Sequence, residues 1–598
     1  MSAFALWRKK SRHAGRGGAL ALALYVLAGI AVIAAALAAP LSAYALNLVM
    51  QATTYAIAVL GLTIVLGYAG QINLAQAAFF GLGAYSVALG TTAFALPFGL
   101  ALVIGVVIAA IAGAMLGLTS LRLGGHYLAM VTISFQTILT LVLTNWVAFT
   151  RGPDGIPNIG RPVLLSGNGL YLGLCIASLF VVACFVWRLK RTKLGRAMQA
   201  VRDNELAAKV VGVDAYATKV RAFTLSALLG GFGGALFAGG FTYVSPDQFS
   251  FAESVVFLTM VLLGGAAAPA GAVLGTGLLI LLPEWLRFLK AVYLAVYGAA
   301  VILIMVFMPD GIWGYLIAWW RRLQPERALD PGPIVPLPLT REIAREDGSV
   351  ILSVRGLSKH FGGLKAVDEI DLTIRRNTVH ALIGPNGSGK TTLLNVLNGI
   401  AWPTGGTITL DGVAVTKLPP HRRAGEGLGR TFQNIRLFGA MSVLDNVMVG
   451  AERPYHAVPA GGLERHALAA LDFVGLAARA AVRVGSLSYG HQRLVEIARA
   501  LAGSPKLMLL DEPGAGLNHV EKNEVVRLLK RLKGHGLTIL IIDHDMAMVE
   551  QVADRITVLN FGKRIADGAP AEVLRHPDVI AAYLGEERPN PSRSHDAP

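Results

Sequence analysis

From Gly17 to Leu121 the chain contains no Asp, Glu, Lys or Arg. That charge-free stretch of 105 residues, bounded by Arg16 and Arg122, is several times the ~20 apolar residues that cross a bilayer. It must therefore hold several membrane segments, and the first half of the chain is read as an integral membrane domain. The whole sequence agrees: 54% of the 598 residues are hydrophobic and only 15% charged, an unusual balance for a soluble enzyme, and the length exceeds what one core organises. A net charge of +16 belongs, in such a chain, to cytoplasmic loops. No DNA- or RNA-reading motif accompanies it, so no nucleic-acid partner is expected. Cys175 and Cys184 share one apolar segment without metal-ligand spacing, which implies neither a disulfide framework nor a zinc site.

The basic N-terminus MSAFALWRKKSRHAGR leads into an apolar run from Gly17 to Leu37, longer than the ~7–15 residues of a signal-peptide core. It predicts a retained first span with a cytoplasmic N-terminus. Further apolar segments cover residues 43–67, 71–92, 94–118, 126–149, 168–187, 222–241, 251–267, 269–287 and 291–308. Eight to ten spans are expected, the pair 251–287 being short enough to form a re-entrant hairpin. The parity suits the charges: the loop Arg188–Arg221 carries nine Lys/Arg against three acids, and Arg321 and Arg322 follow the last segment, both on the cytoplasmic side.

Three polar features interrupt this pattern. In YAGQINLAQAAFFGLGAY, Tyr68–Tyr85, the side chains of Gln71, Asn73 and Gln76 at membrane depth either line a path or hydrogen-bond neighbouring helices. TRGPDGIPNIGRP, Thr150–Pro162, is predicted outside, as a docking loop for a delivery protein or as a plain solvated connection. LGRAMQAVRDNELAAKVVGVD, Leu194–Asp214, spaces apolar residues at 194, 198, 201 and 206 with charges between, which predicts an amphipathic helix beneath the membrane that docks into a partner domain. The domain boundaries follow: a membrane domain at 1–322, a proline-rich linker at 323–349, a second domain at 350–585 and a disordered tail at 586–598.

The second domain is organised by GPNGSGKT, Gly384–Thr391, between the strand-like run Val379–Ile383 and an amphipathic helix. Polyphosphate needs backbone N–H groups close to its oxygens, which Gly384, Gly387 and Gly389 permit, and the helix start adds positive potential. Lys390 can reach the β- and γ-phosphates, and Thr391 can complete a Mg²⁺ shell. Before this loop, Phe361 sits where a ring can stack on adenine, and beyond it Gln433 follows a strand where it can contact Mg²⁺ and the attacking water. LSYGHQ, Leu487–Gln492, opens a helix with Ser488 as its cap. KLMLLDE ends a buried strand in Asp511, which can hold Mg²⁺ through water, and Glu512, which can polarise the water that attacks the γ-phosphate. His544 leaves the strand-like TILIIDHD within reach of that phosphate.

The ordered set Phe361, GPNGSGKT, Gln433, LSYGHQ, LMLLDE and His544 resembles the ATPase domain of ABC transporters over about residues 351–585. It departs in reading LSYGHQ where LSGGQ is commonest and PGAGLN where SALD is frequent. The resemblance implies an α/β P-loop domain that binds ATP with Mg²⁺ in a head-to-tail dimer. Gly384, Pro385, Asn386, Gly387, Ser388, Gly389, Lys390, Thr391 and Thr392 would hold the nucleotide, Ser488 and Gly490 would touch the partner's ATP, and Glu512, His544 and Gln433 would serve hydrolysis, with Thr391, Gln433 and Asp511 around the metal. RTFQNIRLF, GLNHVE, YAGQINLAQAAFFGLGAY, TRGPDGI and LGRAMQAVRDNELAAKVVG are similar to branched-chain amino acid importers of the ABC class, here with permease and ATPase fused. That likeness implies a bacterial inner-membrane system with a second permease, a second ATPase and a periplasmic binding protein. Leucine, isoleucine and valine are the expected substrates, with urea, short amides and aromatic or aliphatic carboxylates as the alternatives. An exporter of this class typically has six long helices with extended cytoplasmic projections, unlike the shorter glycine-rich segments here. A DNA-repair or condensin-like ATPase is excluded by the charge-free stretch, and a non-catalytic channel regulator would tolerate loss of Glu512 or His544, both of which are present.

Overall fold

The computed structural model describes residues 42–120, 126–162, 165, 167–286, 288, 292–322, 348–452 and 462–584. The expected first span at 17–37, the linker apart from its last two residues, and the tail at 586–598 lie outside the described residues. The chain forms two compact units: one holds the residues up to Met198 with Tyr216–Pro325, the other Gln199–Ala215 with Glu326–Pro598.

The first unit is all-helical: α1 (Ala43–Leu62, continued by a π turn Thr63–Tyr68), α2 (Gln76–Thr92), α3 (Phe98–Ser120), α4 (His126–Asn145), α5 (Asn168–Leu189), α6 (Lys193–Asp203, whose last turn belongs to the second unit), α8 (Ala215–Phe241), α9 (Phe251–Gly264), α10 (Pro269–Trp285), α11 (Tyr293–Phe307) and α12 (Gly311–Arg322). The short helix α7 (Glu205–Val210) lies in the second unit. Five of the described helices are long and apolar enough to cross a bilayer, or six if the pair 301–307 and 311–320, bent by 47°, is one span. The eight to ten expected include the span at 17–37, outside the described residues, so these five or six compare with seven to nine. The segment 71–92 starts with five non-helical residues, and α9 and α10 have only 14 and 17 residues, short of the ~20 a crossing needs.

The central helices are α1 and α8, with 78% of their apolar windows buried against 28% and 22% for α3 and α4. Small residues allow this closeness: a Cβ on Gly83 of α2 would lie 1.9 Å from the Gly231 carbonyl oxygen of α8. The break before α2 leaves its first N–H groups without helical partners. Side chains from other helices supply two of them, Ala77 N donating to Ser254 Oγ at 3.0 Å and Ala78 N to Gln136 Oε1 at 2.7 Å, while within the break Ala75 N donates to Asn73 Oδ1 at 3.0 Å. Gln76 donates to the Ala58 carbonyl at 2.7 Å and accepts from Asn73 Nδ2 at 3.1 Å and Ser226 Oγ at 3.0 Å. Gln76, braced by Asn73, is thus a buried cross-link among α1, α2 and α8, the second of the two readings open to the sequence. The loop after α4 is no free connection either. Ile156–Pro157 pair with Tyr243–Val244, Ile156 and Ile159 are buried, and Arg161 Nε donates to Gly239 O.

The second unit is an α/β domain. Its strands are β1 (Val350–Phe361), β2 (Leu364–Arg375), β3 (Val379–Ile383), β4 (Gly405–Leu410), β5 (Val413–Ala414), β6 (Leu428–Arg430), β7 (Leu507–Asp511), β8 (Thr538–Ile542), β9 (Arg555–Asn560) and β10 (Lys563–Gly568). One sheet has the order β10-β9-β3-β8-β7-β6, parallel except at β10, and an antiparallel sheet runs β2-β1-β4-β5. β3, β7 and β8 are buried along their whole length, as their predominantly apolar sequences require. The helices α13 (Lys390–Asn398), α14 (Pro420–Gly425), α15 (Val443–Ala451), α16 (Leu463–Phe473), α17 (Tyr489–Ala502), α18 (His519–Gly534), α19 (Met546–Val552), α20 (Pro570–Val573) and α21 (Pro577–Leu584) complete it among the described residues.

Residues 199–215 pack on this α/β domain. Their helical stretch is not one helix but two, divided at Asn204, whose side chain caps α7 by accepting from Ala207 N at 2.9 Å. Ala200, Val201, Ala207, Ala208, Val210 and Val211 share a buried apolar cluster with Phe432, Phe438, Met441 and Val449. Ala440 N donates to Asp203 Oδ2 at 3.0 Å.

Candidate functional site

In a parallel sheet, functional groups gather beyond the C-terminal ends of the strands, where the chain turns. Here β3 delivers the phosphate-type loop, β7 delivers Asp511 and Glu512, and β8 delivers Asp543 and His544. Register makes these ends level: Ile542 is opposite both Leu382 and Asp511.

The loop Gly384–Gly389 needs its glycines. Gly389 caps α13 in the left-handed region with φ of 100°, and a Cβ there would lie 2.2 Å from the Ala366 carbonyl oxygen. Pro385 is half-buried, Asn386 and Gly387 are exposed, and Ser388 is buried. Thr391 is exposed and Thr392 half-buried in the first turn of α13, where the helix start leaves N–H groups without intrahelical partners. Lys390 Nζ donates to the carbonyls of Gly384 and Pro385, both at 2.8 Å. Burial pushes its ammonium below the ordinary lysine range, while Glu512 and then Asp511 oppose that shift.

Three residues from separate segments meet at one carboxylate oxygen. Gln433 Nε2 donates to Glu512 Oε2 at 3.0 Å, and His544 Nδ1 lies 3.4 Å from the same oxygen. Glu512 is aimed by its own backbone, with φ of 46° and its N–H donating to Ile542 O at 2.8 Å. His544 is exposed, and the buried Asp543 behind it accepts from Asp545 N at 3.0 Å, fixing the turn. Asp511 is buried, with Oδ2 3.4 Å from Arg430 Nη2. Burial raises its carboxyl above the usual range and Arg430 opposes the rise.

Phe361 ends β1 with its ring exposed and the Lys359 ammonium 4.8 Å from its centroid. Ser488 and Gly490 stand elsewhere. Ser488 Oγ lies 2.7 Å from His491 Nδ1, and a Cβ on Gly490 would meet Glu521 Oε1 at 2.4 Å. The two departures from commonest family wording are neighbours: Gly516 of PGAGLN leaves room for the Tyr489 ring of LSYGHQ, which a Cβ would meet at 3.0 Å.

Sequence reasoning missed the residues that hold this site from behind. Arg430 backs Asp511, while Arg493, Glu496 and Arg499 of α17 are buried completely. Charges on an amphipathic helix read as a solvated face. The available signal was the repeated i,i+3 spacing of opposite charges at 493, 496 and 499.

Comparison with known proteins covers both units. A family model described as the permease component of branched-chain amino acid transport systems matches residues 44–308. The ABC transporter model matches 367–515, and one for branched-chain amino acid ATP-binding cassette transporters matches 563–589. The high-affinity branched-chain amino acid transport ATP-binding protein BraF of Pseudomonas aeruginosa is 44% identical over 250 residues, 40% of this chain and 98% of that protein. The corresponding protein LivG of Escherichia coli is 41% identical over 250 residues, with the same coverage. Among solved structures, a nucleotide-free ATP-binding cassette from an ABC transporter is 32% identical, with a TM-score of 0.37 over 40% of this chain and all of that one. With a permease match across the helical unit and near-complete ATP-binding relatives across the other, this chain belongs to the ABC transporters of the branched-chain amino acid type, a multi-pass membrane permease and an ATP-hydrolysing cassette on one polypeptide.

Proposed function

We propose that this chain is an importer subunit that moves branched-chain amino acids across the bacterial inner membrane at the expense of ATP, with its N-terminus and cassette in the cytoplasm. The observation that carries the reading is the joining, in one polypeptide, of a branched-chain-type permease match with cassette relatives that act in branched-chain amino acid transport. The partners are a periplasmic binding protein, a second permease and a second ATPase.

The residues have distinct roles in this reading. Phe361 stacks on the adenine, while residues 384–392 wrap the phosphates and Lys390 offers its charge to the β- and γ-oxygens. Glu512 takes the proton of the attacking water, and Gln433 and His544, both at its Oε2, orient the water and the γ-phosphate. Hydroxyl, carboxylate and amide oxygens at Thr391, Asp511 and Gln433 form a hard donor set that fits Mg²⁺, which when bound neutralises phosphate charge. Ser488 and Gly490, exposed or half-exposed at the start of α17, meet the ATP of the second cassette in a head-to-tail dimer. Closure of that dimer moves the segment 199–215 and so switches the permease.

Vesicles containing the chain and its partners test the reading. Uptake of leucine, isoleucine or valine should require both ATP and an added binding protein, and Glu512→Gln should cut turnover by ~10²-fold or more. ATP-driven efflux without a binding protein, or full turnover in the variant, would refute it.

A further inference from the structure

The hydrolytic glutamine and the packing site of residues 199–215 share one short stretch, 432–441, in which Phe432, Phe438 and Met441 belong to the cluster and Gln433 reaches Glu512. The three side chains from α17 that hold this stretch are buried charges. Glu496 Oε1 accepts from Phe432 N at 3.4 Å and from Arg436 N at 3.2 Å. Arg493 donates to the carbonyls of Phe432 and Gln433, the latter at 2.7 Å, and to Glu496 Oε2 at 2.9 Å. Arg499 donates to Arg436 O at 2.7 Å, and its guanidinium stands 4.9 Å from the centroid of the Phe438 ring. Phe438 is in turn fully buried in the cluster that receives Ala200, Val201, Ala207 and Val210.

Stability is a poor reason for such a clasp. One carboxylate faces two guanidinium groups at zero exposure, and Nε of both Arg493 and Arg499 has no hydrogen-bond partner among the described residues. Replacing buried triads of this kind by apolar residues is often neutral or stabilising. What the clasp does supply is geometry. It fixes the backbone on both sides of Gln433, leaving only the side-chain torsions between Arg493 and the 3.0 Å contact with Glu512. Contacts then run without a gap from the apolar cluster through Phe438, Arg499, Glu496, Arg493 and Gln433 to Glu512.

We propose that Arg493, Glu496 and Arg499 are positioning residues that set Gln433 against Glu512 and make its placement depend on the packing of residues 199–215. The inference rests on the reading of Gln433 and Glu512 as hydrolytic residues. Ser488 caps α17, so a shift of that helix carries the glutamine with it.

The test uses the full-length chain in nanodiscs, with ATPase kinetics and thermal midpoints measured on each variant. The apolar triple variant R493M/E496L/R499M should fold, lose about tenfold in kcat and keep its KM for ATP within about twofold. Gln433→Ala should cost about the same in the native background and nothing further in the triple variant, because the clasp acts through that side chain. Arg493→Lys keeps the charge but loses the fork to two carbonyls, and it should show the same split should the triple variant not fold. A folded clasp variant with kcat within about twofold of the parent, or losses that multiply with Gln433→Ala, overturns the proposal. Glu512→Gln separates the two levels: full turnover there defeats the reading of the site, whereas a dead Glu512→Gln beside unaffected clasp variants defeats only the clasp.

Discussion

Replacing Gln76 by leucine distinguishes a structural cross-link from a path-lining residue. The side chain is fully buried and joins three helices through four hydrogen bonds, two donated by Nε2 to the carbonyls of Ala58 and Ser226 and two accepted by Oε1 from Asn73 and Ser226. Hydrogen bonds within membrane proteins average ~0.6 kcal/mol, so four of them amount to ~2 kcal/mol. The Asn73 amide and the Ser226 hydroxyl would each lose this acceptor, and a buried group left unsatisfied costs a further ~1–3 kcal/mol. Leucine finds no extra room: Cβ atoms on Gly61 and Gly230 would lie only 2.8 and 3.0 Å from Nε2, so the amide already fills its site. Gln76→Leu should therefore destabilise the helical unit by ~3–5 kcal/mol, read as a lower midpoint for unfolding by sodium dodecyl sulfate in mixed micelles. An unchanged midpoint together with lost transport would refute the reasoning and return Gln76 to the path.

Other perturbations address the second unit. Gly389→Ala imposes φ of 100° on a residue with a Cβ and drives that atom against the Ala366 carbonyl, so the thermal shift on adding ATP should vanish, as scanning calorimetry would register. Phe438→Ala removes a ring from the cluster that holds residues 200–211, at ~3–5 kcal/mol for a core phenylalanine, and limited trypsin digestion should then cut faster at Arg202 or Lys209; an unchanged rate contradicts that account. His380 lies beneath the phosphate loop, buried on β3 with Nε2 2.7 Å from Thr557 Oγ1, and burial pushes it down from 6.5 to about 4. The unfolded chain protonates this histidine first, so stability is full above pH 6.5 and falls between that value and about 4, by at most ~3 kcal/mol. His380→Phe should flatten that slope in the thermal midpoint of the cassette.

Some of this architecture was open to reading residue by residue because its causes are local. A stretch of 105 residues without a charge has no solvent-facing solution. A glycine loop between a buried strand and a helix start defines a phosphate site within eight residues, from Gly384 to Thr391. The span count was less legible, because hydropathy measures apolar length and not whether the backbone remains helical. The break at residues 69–75 is stabilised by Thr132, Gln136 and Ser254, side chains from helices 58 or more positions away.

The sequence by itself determined that part of the chain lies in a bilayer and that the rest carries a nucleotide loop, since both follow from composition and spacing over short windows. Only the tertiary structure decided that Gln433, Glu512 and His544 share one carboxylate oxygen, that residues 199–215 belong with the cassette, and that three buried charges on α17 grip the glutamine loop. Each of these is a meeting of distant segments, fixed by the register of β3, β7 and β8 and by the packing of α17, which no local pattern of residues encodes.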